Sequence, residues 1–130
     1  MDCDFDTIKV MARPQGPVCH TGSNTCFNND VVSDVAFLDE LTALIAKRHR
    51  AMPKDSYTAS LFKDGSARIA QKVGEEGVEL AIARMKNNTK EIKNEAADLL
   101  FHLMILLEDA GLKIGDVLTV LKNRKSKPKL

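Results

Sequence analysis

The sequence predicts an all-α protein: a helical bundle preceded by a short β-like segment. Three observations carry that expectation. From Ser33 onward apolar residues recur at helical spacing. Ser, Asn and Thr in starting positions, and Gly and Pro in stopping positions, divide that stretch into helix-sized pieces. Carboxylates recur at i and i+3 in Glu76/Glu79 and again in Glu95/Asp98, a spacing that places each pair on one helical face.

Residues 1–32 read differently from the rest. Phe5 to Ala12 is β-like, with Ile8 and Val10 on one face and Thr7, Lys9 and Met11 on the other. Pro14-Gln15-Gly16-Pro17 breaks it, and Asn28-Asn29-Asp30 reads as a linker. The first helix is capped by Ser33 or Asp34, presents Phe37, Leu38, Leu41, Leu44 and Ile45 as its apolar face, and closes before Pro53. Ser56 starts a short helix from Tyr57 to about Phe62, ended near Gly65. Ser66 caps a long helix to about Met85, with Ile69, Val73, Leu80 and Ile82 apolar. Asn87-Asn88-Thr89 forms a turn and cap. The next helix runs from Thr89 to Ala110, with Gly111 in the position just past its end. A last helix covers Ile114 to Arg124, which makes 33–125 one helical domain. Residues 126–130 form a basic tail read as disordered.

The helix carrying Glu95 and Asp98 is apolar on nearly every side from Leu99 to Leu107. A helix of that kind is buried, often at a subunit interface, so a homodimer is expected.

The chain has 130 residues, room for one domain with a true core and a small appendage. A formal net charge of +1 favours neither a nucleic-acid partner nor an acidic membrane surface. Aromatic content of 5% without tryptophan disfavours base-stacking platforms. No apolar run approaches the roughly 20 residues that span a bilayer. Asp2, Asp4 and Asp6 stand where a secretory signal would be apolar. Three cysteines, an odd number, fit a disulfide framework poorly and suit a reducing, cytoplasmic setting.

Packed together, the two acidic stripes would crowd four or five negative charges. Like charges about 4 Å apart repel by roughly 4 kcal/mol at an effective dielectric near 20. Hard oxygen ligands without His or Cys point to Mg²⁺ or Mn²⁺ as the cation that relieves this. The competing reading is a solvated helix face. Gly74 and Gly77 weigh against it, since each costs about 1 kcal/mol in a helix interior and suggests that backbone or ligand comes close. Lys72 lies one turn before Glu76, placed either for an ion pair or for a substrate phosphate, with Arg68 and Lys63 in support. His102, one turn after Asp98, is either a satisfied core residue or a neighbour of the carboxylates. Cys3, Cys19 and Cys26 with His20 are either zinc ligands or free thiols. The alternating aspartates near Cys3 are placed to hold a harder ion.

Taken together, Ser56-Tyr57-Thr58, Lys72-Val73-Gly74-Glu75-Glu76-Gly77-Val78-Glu79-Leu80 and Asn94-Glu95-Ala96-Ala97-Asp98-Leu99-Leu100-Phe101-His102-Leu103 resemble phosphoribosyl-ATP pyrophosphatase over roughly residues 35 to 124. Asp2-Cys3-Asp4-Phe5-Asp6-Thr7, Gly16-Pro17-Val18-Cys19-His20-Thr21-Gly22 and Cys26-Phe27 resemble the C-terminal end of phosphoribosyl-AMP cyclohydrolase. The resemblance implies an all-α nucleotide pyrophosphohydrolase fold of the MazG-like type, usually dimeric. It implies Mg²⁺ held by Glu76, Glu79, Glu95 and Asp98, with Glu75 adjacent. It also implies zinc at Cys3, Cys19 and Cys26, and Mg²⁺ at Asp2, Asp4 and Asp6. Most of a cyclohydrolase domain would precede Asp2, and Met1 stands there instead, so cyclohydrolase activity is expected to be absent.

The expected reaction is hydrolysis of the α–β phosphoanhydride of phosphoribosyl-ATP, a small-molecule substrate in histidine biosynthesis. Glu75, Glu76 and Glu79 are the catalytic candidates, with Glu75 or Glu79 activating water. Lys72 and Arg68 would neutralise phosphates, and Tyr57 and Thr58 would contact substrate. Two rivals stand beside this reading: a MazG-like house-cleaning nucleoside triphosphate pyrophosphohydrolase, and a non-catalytic helical assembly module.

Overall fold

The computed structural model describes residues 36–125, all of the regular structure among them being helical. The β-like segment, the caps Ser33 and Asp34, the aspartates Asp2, Asp4 and Asp6, the cysteines Cys3, Cys19 and Cys26, His20 and the tail lie outside the described residues. The chain divides into two units, Met1–Phe37 and Leu38–Leu130, and the helical core belongs entirely to the second.

Five helices follow in order: α1 Ala36–Ala51, α2 Tyr57–Asp64, α3 Ser66–Met85, α4 Thr89–Asp109 and α5 Ile114–Lys125. Local chemistry sets their ends. Ser56 Oγ accepts from the Ala59 N–H at 3.3 Å and starts α2. Gly65, at φ 88°, ends α2 and leads directly into α3, a backbone state that side chains with a Cβ rarely adopt. Gly65 rather than Ser66 is therefore the residue flanking α3, and Ser66 lies inside the helix. Within the Asn87-Asn88-Thr89 turn, Asn88 caps α4: its Oδ1 accepts from the Lys90 and Glu91 N–H groups at 3.2 and 3.3 Å. Gly111, at φ 70°, follows α4 as its position in the sequence suggests.

The short turn between Met85 and Thr89 folds α3 and α4 into an antiparallel hairpin. The core is Ile45 of α1, Leu61 of α2, Ile69 of α3, and Met104 and Ile105 of α4, with Leu38, Leu41, Phe62, Leu100, Phe101 and Leu106 packed around it. The His49 ring stacks on Phe62 at 3.8 Å between centroids and meets Glu108 Oε1 at 3.3 Å, which ties α1 to α2 and α4.

Two apolar faces read differently from expectation. Phe37 and Leu44 on α1 are exposed, as are Val78, Ile82 and Met85 on α3. None of the exposed large apolar side chains belongs to α4, whose Met104, Ile105 and Leu107 are buried within the chain. The core takes up most of the apolar stretch of α4, while Leu99 and Leu103 stay half-buried outside it, and the fully exposed apolar side chains lie on other elements. Helix α5 buries no residue.

Ile105 is fully buried among four helices. Ile105→Ala should lower unfolding stability by about 2–5 kcal/mol, the range for a large apolar core side chain cut to Ala. Urea unfolding followed by circular dichroism measures this, and a loss under 1 kcal/mol would mean the site collapses without a cavity.

Candidate metal centre between α3 and α4

Helix α3 carries Glu75, Glu76 and Glu79, and α4 carries Glu95 and Asp98. Because the two helices pack side by side, the i, i+3 stripes face each other. Glu76, Glu79 and Glu95 each bring one carboxylate oxygen to within 4.8 Å of the others. Their exposures are graded: Glu76 is buried, Glu95 intermediate and Glu79 exposed. Asp98 stands outside this set but close enough for its charge to act on Glu95. Partial desolvation raises the Glu95 carboxyl above its ordinary value, and the Glu79, Asp98 and Glu76 charges add to it in that order.

Glu75 turns the other way. Its Oε2 meets Lys72 Nζ at 3.0 Å, while its Oε1 accepts from Gln71 at 2.7 Å and lies 3.5 Å from Arg68 Nη1. The Lys72 hydrogen bond is the main reason that the Glu75 carboxyl sits below its ordinary value. Lys72 Nζ also lies 2.6 Å from Glu76 Oε1. Gripped by two carboxylates, its ammonium is pushed well above the ordinary lysine range, the Glu76 hydrogen bond contributing most. Lys72 is thus an ion pair within this chain, bridging the two neighbouring glutamates. Arg68 extends the same network through Glu75.

His102 is buried, with 5% of its surface exposed. Its Nδ1 meets the Asp98 backbone carbonyl at 2.9 Å and lies 3.7 Å from Glu76 Oε1. A carbonyl only accepts, so Nδ1 carries the proton and Nε2 is left to accept from the Tyr57 hydroxyl at 3.0 Å. The residue is both satisfied in the core and adjacent to a carboxylate, so the two sequence alternatives coincide. Tyr57 exposes 53% of its surface and sits beside Phe101, at 6.5 Å between centroids. Thr58 is 1% exposed and its Oγ1 accepts from Arg48 Nη1 at 3.4 Å, so its hydroxyl faces into the bundle. Lys63 lines a separate hollow of about 300 Å³ with Met52, Lys54 and Ser60. Sequence reading overlooked Arg48. A charged residue ten positions before a buried threonine leaves no periodic signal.

Beside the carboxylates a groove of about 340 Å³ is lined by Glu79, Ile82, Ala83, Lys86, Glu91 and Glu95. Glu91 and Lys86 are the members that the i, i+3 pattern did not flag. The donor set fits a hard divalent ion: oxygens only, converging from two helices, with one carboxyl raised by desolvation and by the neighbouring negative charges.

A helical bundle whose two long central helices face one another with carboxylates has the oxygen-only donor set of a divalent-cation-dependent hydrolase. The family match is specific. Residues 38–125 match the model of the phosphoribosyl-ATP pyrophosphohydrolase family, and the chain belongs to that family. Residues 1–28 match the phosphoribosyl-AMP cyclohydrolase model. The chain is similar to the histidine biosynthesis bifunctional protein HisIE of Vibrio cholerae, 48% identical over 126 residues, which cover 95% of this chain and 60% of that protein. It is similar to the protein of the same name from Xylella fastidiosa (strain Temecula1), 50% identical over 123 residues covering 95% and 58%. The Photobacterium profundum relative is 46% identical over 132 residues covering 98% and 64%. The chain therefore spans about three-fifths of the length of these relatives.

A carboxyl whose pKa is raised by folding destabilises the fold when ionised. That cost is present above the folded pKa and fades as pH falls toward the unfolded value of 4.5. In metal-stripped protein, Glu95→Gln should therefore melt higher than the parent at pH 8, and the difference should close as pH falls to 4.5. Thermal melts across that range test it, and a variant that melts lower at pH 8 contradicts the repulsion.

Proposed function

We propose that this chain hydrolyses phosphoribosyl-ATP to phosphoribosyl-AMP and pyrophosphate, a step of histidine biosynthesis, with Mg²⁺ held by Glu76, Glu79, Glu95 and Asp98. The observation that carries this is the convergence of three carboxylate oxygens within 4.8 Å in a chain of this family. A divalent ion, when bound, supplies positive charge to the triphosphate oxygens and to the departing pyrophosphate. The chain's own groups do the rest. Glu79, the exposed member of the cluster, orients and deprotonates the attacking water. Glu75 suits that role less, because lysine holds its carboxyl low and a low pKa makes a weak base. Water attacks the α-phosphorus, the bond to the bridging oxygen breaks, and that oxygen leaves on pyrophosphate. Lys72 has three N–H donors and spends two on Glu75 and Glu76, which leaves one for a phosphate. Arg68, exposed beside it, adds charge at the same end of α3. Tyr57, half exposed at the start of α2, lies at the edge of the substrate site.

Residues 1–32 are read as the C-terminal end of a cyclohydrolase domain plus a linker, with Cys3, Cys19 and Cys26 as zinc ligands and Asp2, Asp4 and Asp6 as Mg²⁺ ligands. The setting is the cytoplasm. No helix among the described residues is long and apolar enough to cross a membrane.

Pyrophosphate release from phosphoribosyl-ATP, with and without chelator, tests the proposal. Chelation should stop release, and Glu79→Gln should cost more than the roughly 10- to 100-fold typical of losing an outer hydrogen-bond partner of a metal. Release that ignores both treatments sinks it. Faster turnover of ordinary nucleoside triphosphates would redirect it to the house-cleaning class.

The active form is read as a homodimer. Val78, Ile82 and Met85 recur at i, i+4 and i+7 on α3 and are 60%, 47% and 82% exposed, an apolar stripe of the kind that marks interfaces. Sedimentation equilibrium should give twice the 14.3 kDa chain mass, and Val78→Arg should shift it toward one chain. A parent that sediments as a single chain contradicts the dimer.

A further inference from the structure

We infer that His102 is a positioning residue for the Glu76 carboxylate, and that Tyr57 holds the His102 ring in the orientation that does so. The inference rests on the reading of Glu76 as a metal ligand. It arises from a chain of contacts that crosses three helices. Tyr57 opens α2, His102 lies in α4 and Glu76 in α3. The Tyr57 hydroxyl donates to His102 Nε2 at 3.0 Å. His102 Nδ1 donates to the Asp98 carbonyl, 2.9 Å away, and lies 3.7 Å from Glu76 Oε1, outside hydrogen-bond reach and close enough for the polar edge of the ring to act on that oxygen.

Three features say that this arrangement does more than fill space. First, both ring nitrogens are engaged by partners of opposite kind, an acceptor at Nδ1 and a donor at Nε2. That selects one tautomer and one ring orientation, because turning the ring over would set Cδ2 against the carbonyl and Cε1 against the hydroxyl, and lose both hydrogen bonds. Second, His102 and Glu76 are both about 5% exposed, so water does little to orient the carboxylate. Its direction is set by the groups that face it. Third, Lys72 and His102 both approach the same oxygen, Oε1, from α3 and α4. The Lys72 hydrogen bond and the polar edge of the His102 ring together bias how the carboxylate plane turns, and hence how it meets Glu79 and Glu95. Outer partners that fix a ligand's orientation typically contribute about 10- to 100-fold to metal affinity or activity.

Tyr57 adds a link to the substrate side. Its ring is half exposed, yet its hydroxyl reaches a buried nitrogen. A group pressing on the exposed ring therefore acts, through His102, on the carboxylate. Tyr57 is accordingly assigned a positioning role rather than a direct hold on phosphate.

The test is Mn²⁺ affinity of the purified full chain, measured by calorimetry with the metal alone, together with kcat and KM for phosphoribosyl-ATP. His102→Ala should weaken Mn²⁺ binding about 10- to 100-fold. His102→Asn places an amide N–H near the Nδ1 position and should recover most of that loss, whereas His102→Gln, which mimics Nε2, should not. Tyr57→Phe leaves the core intact and should weaken Mn²⁺ several-fold, with the kinetic defect mainly in kcat. Glu79→Gln is the control for the metal reading itself. If it leaves Mn²⁺ binding unchanged, the metal centre fails, whatever the His102 variants do. If it abolishes binding while Tyr57→Phe and His102→Ala bind as the parent does, the positioning role alone is overturned. Equal losses in the Asn and Gln variants also overturn it, since they would show that bulk, not the Nδ1 donor, is what matters.

Discussion

Lys72 Nζ and Glu76 Oε1 stand 2.6 Å apart with little of either side chain exposed. A carboxylate removed from water is costly unless a positive group meets it, and the cost of breaking such a pair exceeds the gain from making it. Helix geometry supplies the partner, because a lysine four residues before a glutamate lies on the same face one turn away. With Glu76 charged and anchored, α3 can lie against α4 with its acidic stripe inward. Every other feature of the site follows from that packing: the approach of Glu95, the placement of His102 on the same oxygen, and the groove that runs on toward Glu91.

The charges then divide into two populations. On the Glu75 side they are matched, with Arg68, Lys72 and Gln71 around one carboxylate. On the Glu95 side they are not, since Glu79, Asp98 and Glu76 all act to raise its carboxyl. The balanced group thus sits on α3 alone, and the unbalanced one spans α3 and α4. Surface ion pairs of the first kind contribute little to stability, with a median near 0–1 kcal/mol. Unbalanced charge of the second kind costs stability, and proteins retain such costs where function uses them. The imbalance, rather than the number of carboxylates, distinguishes this groove from an ordinary solvated helix face.

Much of this was legible in the sequence, for identifiable reasons. Five helices followed from periodicity and caps because Ser56, Gly65, Asn88 and Gly111 each act within a few residues of themselves. The facing of Glu76 and Glu79 with Glu95 followed from i, i+3 spacing and a short turn, both local. What was not legible is relative position. Spacing predicted four or five carboxylates together, and only three converge. Glu75 is one residue from Glu76, about 100° around the helix, and three cationic or amide groups claim it. Asp98 stands off the set by a distance that no sequence spacing fixes. Nor did apolarity along α4 reveal where the exposed apolar surface would be. The helix richest in leucine has no large apolar side chain fully exposed, and those that are exposed lie on α1, α2, α3 and α5 and at Met52 and Leu112 between helices. The Tyr57–His102 contact joins residues 45 positions apart and has no signature in either segment.

Gly74 and Gly77 sharpen the same point. Each costs a helix interior about 1 kcal/mol relative to alanine, and their position beside the glutamates suggested that something comes close. A Cβ built at either meets no atom within 4 Å. Packing inside this chain therefore does not require them, and a crowded neighbouring helix is ruled out as their cause among the described residues. At about 100° per residue, Gly74 lies within about 40° of Val78 and Met85 and about 140–160° from Glu79 and Glu76. The room it keeps therefore belongs with the exposed apolar stripe of α3 rather than with the carboxylate groove. A helix that gives up stability there has backbone that a second chain's helix can approach closely, which fits the dimer face proposed for that stripe.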